Sequence, residues 1–215
     1  MKNLVLLVVC LCFTAATFAQ VKVRPGFRAG INSATVTNLD NNSRRIGFQG
    51  AMFVNIHFPK VYELQVEASY SNQGFNQGSF SSINPYDGQV YRNPGNDVSI
   101  HYIGAAISNK FFFIPDVGLH FLVGPSLEIN VSDNTNGDII PIDIAFFGGI
   151  GYEFPMGLGI EARYKQGFVD VRDDFFNDNY YDNDYTFGSN DDDYYNGNNK
   201  LNSVIQLSVY YKFGF

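Results

Sequence analysis

The segment Leu201–Phe215 alternates between apolar and polar residues almost without error, and that pattern limits the whole chain more than any other feature. Ile205, Leu207, Val209, Tyr211 and Phe213 are apolar; Asn202, Gln206, Ser208 and Lys212 between them are polar. Successive side chains on a strand point to opposite faces, so one face of this segment suits lipid and the other something wet or charged. A strand of that kind, ending in aromatic residues, predicts a transmembrane β-barrel.

Residues 1–19 carry Lys2, an apolar run from Leu4 to Phe13 and the small-residue ending Thr17-Phe18-Ala19, the three regions of a secretory signal peptide. The apolar run is shorter than the about 20 residues that a spanning helix needs, and no later segment supplies one. Membrane crossing is therefore expected by strands. Cys10 and Cys12 lie inside the signal, so residues 20–215, read as one barrel domain, contain no disulfide and no thiolate metal site. Cys10 is not read as a lipoprotein cysteine, because Val9 is bulky where a small residue is wanted.

The chain is acidic, with 14 Lys and Arg against 21 Asp and Glu, a net charge of −7. Residues 170–200 alone hold nine Asp against Arg172 and Lys200, so the excess is local and the rest is close to neutral. Nucleic acid is excluded as a partner, since phosphate binding needs clustered basic residues. The 14 Tyr and 21 Phe suit the two aromatic girdles of a membrane barrel.

Eight segments read as strands: Val23–Val36, Ile46–Phe58, Tyr62–Gln73, Val98–Phe113, Val117–Val131, Ile140–Phe154, Gly157–Val169 and Leu201–Phe215. Pro59-Lys60-Val61, Ile114-Pro115-Asp116 and Pro155-Met156 are tight connections. Thr37–Arg45, Gly74–Asp97, Ser132–Asp138 and Asp170–Lys200 are long and polar. Strict alternation of short and long connections predicts three periplasmic turns, four outer loops and periplasmic termini. A soluble sandwich would also alternate, but its outward face would be polar, whereas here the apolar face is broad and aromatic. The register of the fourth strand is open around Tyr102 and Ile103, where both faces carry apolar residues and a bulge is allowed.

Over nearly its whole length past the signal, the chain resembles the Bacteroidetes-type outer-membrane β-barrel proteins, the PorT family. The resemblance lies in Gly26-Phe27-Arg28-Ala29-Gly30-Ile31-Asn32, Glu67-Ala68-Ser69-Tyr70-Ser71-Asn72-Gln73-Gly74, Gly124-Pro125, Glu161-Ala162-Arg163-Tyr164 with Gly167, and Tyr210-Tyr211-Lys212-Phe213. Gly104 departs from it, standing where such proteins often carry proline. The fold class expected is an all-β, eight-stranded antiparallel transmembrane barrel of the OmpA/OmpX type in the outer membrane. One namesake of the family is associated with secretion across that membrane; a secretion-accessory role is the alternative to a structural or surface-binding one.

Alternation places eleven charged residues inside: Arg24, Arg28, Glu63, Glu67, Glu128, Asp143, Glu153, Glu161, Arg163, Lys165 and Lys212. A barrel of eight strands is filled by its own side chains, so these groups are expected to pair and plug the lumen, with Arg24, Arg28, Arg163, Lys165 and Lys212 forming a mostly basic wall. Tyr211, Phe213 and Phe215 are expected to address the barrel-assembly machinery. His57, His101 and His120 show no triad spacing and there is no Gly-x-Ser-x-Gly turn; His57 and His120 are expected to face the lumen near the periplasmic end, satisfied lumen histidines are the preferred reading, and no enzymatic role, metal or cofactor is expected. A lipid-modifying enzyme would need a His and a Ser on the outer lip. The Asp- and Tyr-rich last loop reads as a solvated, flexible acidic segment, with an extracellular ligand there, calcium included, as the second choice. Membrane lipid is the remaining expected partner.

Overall fold

A computed structural model of the chain describes residues 22–38, 41–58, 61–83, 89–114, 117–135, 139–171 and 200–214. The signal at 1–19, residues 172–199 of the acidic loop, and Phe215 lie outside the described residues. Among the described residues there are ten strands: β1 (Lys22–Val36), β2 (Asn42–His57), β3 (Tyr62–Gln77), β4 (Phe80–Ile83), β5 (Val90–Asn93), β6 (Asn96–Ile114), β7 (Leu119–Asp133), β8 (Ile142–Glu153), β9 (Leu158–Asp170) and β10 (Leu201–Lys212). Eight of them close an antiparallel barrel in the order β1-β10-β9-β8-β7-β6-β3-β2. Closure is made by β1 on β10, from Gly26 opposite Lys212 to Val36 opposite Asn202. Among the described residues no helix is long and apolar enough to cross a membrane; the strands do the crossing.

The two faces separate as alternation requires. Val66, Ile107, Ile144, Ile160 and Leu207 point outward and are roughly half exposed, whereas Glu67, Lys110, Asp143, Glu161 and Arg163 point inward and are buried. Aromatic residues gather near the periplasmic end: Phe111 stacks on Phe121 at 4.8 Å, and Phe27, Tyr211 and Phe213 form a second group with centroids 5.4–6.3 Å apart.

Three features differ from the sequence reading. The second outer connection is shorter than Gly74–Asp97, because β3 runs on to Gln77, β6 starts at Asn96, and β4 pairs with β5 in a two-stranded hairpin between them. Strands of four residues carry too few alternations to show a period. Strand β2 begins at Asn42 rather than Ile46, its polar first turn being tied to β3 through a register shift between Arg44 and Gln49. The 117–118 segment is a turn and not the start of β7; Gly118 has φ +82°, and a Cβ there would lie 2.0 Å from the Glu153 carbonyl oxygen.

The fourth barrel strand, β6, is also resolved. Its even-numbered residues face inward, and the bulge lies across from it, where Val131 of β7 is skipped between Ser132 opposite His101 and Asn130 opposite Tyr102. Both faces read as apolar because the outer end of the lumen is itself apolar. Val98, Ile100 and Tyr102 of β6 pack there with Val36, Phe75, Ile139 and Val171 as one buried cluster.

Two substitutions check faces and packing. Leu207→Arg puts a cation on the lipid face and is expected to lower folding stability in liposomes by about 2–4 kcal/mol in a urea titration. Gly159→Val is expected to slow or prevent barrel formation, because a Cβ at Gly159 would sit 2.2 Å from the Tyr210 ring. An unchanged midpoint for the first variant would mean that the face of β10 is misassigned.

Candidate functional site

The lumen is the densest concentration of charge in the described structure. At its periplasmic end Lys212 Nζ donates to Glu63 at 2.5 Å and to Glu153 at 2.6 Å, and His57 Nδ1 meets the other Glu63 oxygen at 2.8 Å. Tyr210 donates its hydroxyl to Glu153 at 2.8 Å. One layer further in, Lys110 pairs with Glu161 and lies 4.4 Å above the Tyr210 ring, a cation–π arrangement. His120 is fully buried beside it, with Nε2 3.6 Å from Glu161.

Mid-barrel, Arg163 forks between two carboxylates. It donates to Glu67 at 2.7 and 3.1 Å and to Glu161 at 2.7 and 3.0 Å, while Arg28 reaches the same Glu67 at 2.7 Å from the facing wall. The planar guanidinium suits such bidentate sharing. Above this, Lys165 holds Glu128 at 2.5 Å, Gln73 donates to the same oxygen at 2.9 Å, and Asn202 bridges Gln73 at 2.6 Å to Asp143 at 3.3 Å. Arg24 enters at the periplasmic end opposite Asn55. The gap between the Arg28–Glu67 and Lys165–Glu128 groups is about 20 Å³, room for one water.

All eleven of the charged residues assigned to the interior lie on inward register positions, but not as two opposed walls. Glu161 sits on β9 between its basic neighbours and binds Arg163 directly. Lys110 was missed. With it, and leaving out Lys22 and Asp133 at the two mouths, the described interior residues comprise six cations (Arg24, Arg28, Lys110, Arg163, Lys165, Lys212) and six carboxylates (Glu63, Glu67, Glu128, Asp143, Glu153, Glu161), whereas without it the carboxylates are one in excess. That imbalance was the available signal; the open register of β6 hid it. Among the described residues no group of three or more His, Cys, Asp or Glu could hold a metal ion.

The histidines divide. His57 and His120 are at the periplasmic end of the lumen, but His101 is not a lumen residue. It is on an odd position of β6, on the outward face at the outer end, with Ser99 two residues before it on the same face. Its Nδ1 is 2.6 Å from the Tyr70 hydroxyl, and Asn72 Nδ2 is 3.2–3.3 Å from both ring nitrogens and 3.3 Å from Ser99 Oγ. Asn72 is in turn held through its Oδ1 by Arg45, whose Nε donates to Asp97 at 2.8 Å.

A closed barrel of eight strands with an apolar exterior and a charged interior defines a membrane β-barrel. Residues 18–173 match the model of the outer membrane protein beta-barrel domain, and the chain belongs to that family; the protein resides in the outer membrane. Among solved structures it is similar to Neisserial surface protein A at 14% identity, covering 90% of this chain and 99% of that one, with a TM-score of 0.49. It is also similar to Ail, the attachment invasion locus protein of Yersinia pestis, solved in complex with the heparin analogue sucrose octasulfate: 12% identity, 89% of this chain and 99% of that one, TM-score 0.47. No curated protein matches it at a significant level.

The shared carboxylate gives a direct check. Glu67→Gln leaves Arg28 and Arg163 with one buried negative partner fewer, and unfolding free energy is expected to fall by about 3–5 kcal/mol, measured by denaturant titration with heat-modifiable gel mobility as the folding readout.

Proposed function

We propose that the protein is a closed scaffold in the outer membrane, its lumen filled by its own charge pairs, acting through the parts that project outward rather than by passing solutes. The observation that carries this is the six-to-six balance of interior charges named above, arranged in layers from Lys212 and Glu63 at one end through Arg163 and Glu67 to Lys165 and Glu128, and capped by the apolar cluster around Phe75 and Tyr102. An ion crossing would have to displace paired charges and then cross an apolar layer that offers it no solvation. No chemistry is assigned to the lumen.

Surface binding belongs to the outer ends of β3 and β6, the β4–β5 hairpin and the last loop, whose Asp and Tyr side chains suit adaptable recognition. The motifs shared with the PorT-type barrels of Bacteroidetes support a nearer kinship there and, with it, the alternative of an accessory role in secretion. Tyr211 and Phe213, outward at the closing strand, support recognition by the barrel-assembly machinery.

The purified protein in planar bilayers is expected to show no stable conductance. Reproducible channel events would overturn the closed-lumen reading, and the double variant Phe75→Ala/Tyr102→Ala, which thins the cap without touching the charges, is expected to remain non-conducting because the paired layers below stay in place.

A further inference from the structure

We propose that Arg44 and an apolar groove below it on the barrel exterior form a seat for one phosphate-bearing lipid of the outer leaflet, the phosphate on the guanidinium and an acyl chain in the groove. This goes beyond the scaffold reading, which its failure would leave untouched.

Height is the first reason. On the outward face of β2, Ile56, Val54, Met52, Gly50, Phe48 and Ile46 follow one another, and Met52, Phe48 and Ile46 are more than half exposed. Ten residue steps at about 3.3 Å each, tilted by about 40°, raise the chain about 25 Å, which is the height of the apolar band of such a barrel. Arg44 is the next residue on that face and is exposed. It therefore stands just past the outer edge of the band, at the level of the headgroups, where a cation costs far less than at the midplane.

Charge is the second. Arg44 is held in place without being neutralised: one terminal nitrogen donates to the Ser33 carbonyl at 2.8 Å and the other to Ser203 Oγ at 3.3 Å, so the guanidinium lies across β1 and β10 on two neutral acceptors. Arg45 beside it takes the opposite course, its Nε donating to Asp97 at 2.8 Å. Among the described residues Arg44 has no carboxylate partner, and its fork keeps further N–H donors to give. The anion found at that height is a lipid phosphate, whose oxygens match the planar fork. Because the side chain is already fixed, little freedom is lost when that anion arrives.

The third reason lies below the guanidinium. The exterior of β1, β10, β9, β8 and β7 carries an apolar groove of about 500 Å³, where the small side chains of Ala29 and Ala162 stand among Ile31, Leu207, Ile160 and Ile150. Ile31 is the outward residue next below Ser33 on β1, and Leu207 lies four residues below Ser203 on β10, about 10 Å toward the membrane centre. The groove thus begins on the two strands that seat Arg44. Its volume is that of a small-ligand site, and an apolar hollow facing hydrocarbon takes a hydrocarbon chain. A fixed, uncompensated cation above and an apolar hollow below match the two ends of one lipid, and neither observation depends on the other.

The full barrel in neutral detergent is titrated with dipalmitoyl phosphatidic acid and followed by native mass spectrometry, and one bound lipid is expected. Dipalmitoylglycerol, which has the chains without the phosphate, and inorganic phosphate, which has no chains, are each expected to bind the unaltered protein at least about 10-fold more weakly. Arg44→Gln is expected to weaken phosphatidic acid at least about 10-fold while keeping the heat-modifiable mobility of a folded barrel, and Ala162→Phe, which fills the groove, is expected to weaken it as well. Arg92→Gln, an exposed cation on β5 of the projecting hairpin, is expected to bind like the unaltered protein. Equal binding of either partial probe by the unaltered protein, undiminished binding by Arg44→Gln or Ala162→Phe, or an equal loss in Arg92→Gln overturns the proposal.

Discussion

Everything in this molecule depends on closure, since a backbone N–H or C=O facing hydrocarbon has no water to bond and costs several kcal/mol. The β1–β10 seam removes the last two free edges, with Phe213 N donating to Pro25 O at 2.8 Å just beyond the paired segment. Once the cylinder is closed, its interior is too narrow for bulk water, and the charges that alternation turns inward must find partners there. The lipid-facing exterior and the ion-paired interior are thus two results of one geometric demand. They also separate the labour of stability: the outer face sets insertion, and the inner face sets cohesion between walls.

The interior also shows why ion pairs placed in series differ from isolated ones. Glu67 is shared by Arg28 and Arg163, Arg163 by Glu67 and Glu161, and Glu161 by Arg163 and Lys110, so four strands, β1, β3, β6 and β9, are joined by one alternating chain of charge. Each pair alone would barely offset its desolvation. Sharing lets each charge be compensated from two sides, and the bidentate geometry fixes the relative height of opposing strands as well as their attraction.

Much of the fold was legible because period two is a strong signal when one face meets lipid. Strands β3, β8 and β9 read cleanly for that reason: Leu64 against Gln65, Ile144 against Asp143, Ile160 against Glu161. Strand β6 failed because its inward outer half, Val98, Ile100 and Tyr102, is as apolar as its lipid face. Lys110 was lost with that register, and so was the outward position of His101. The β4–β5 hairpin was illegible for a different reason, namely that four residues hold too little pattern. Pairing partners across the lumen, such as Lys212 with Glu63, depend on the stagger of strands far apart in the chain, which no local period encodes.

The apolar cluster over the lumen has an electrical meaning. Phe75, Ile100 and Tyr102 are almost wholly buried, while at the opposite end the His57 side chain is about one-third open and Glu153 is partly so. Among the described residues, the interior charges are thus shielded at one end and open toward the other. Although the barrel spans the membrane, its inner titratable groups belong to the periplasmic bath: acidification outside the cell is felt by the projecting surface, and the charge pairs answer to the compartment beneath.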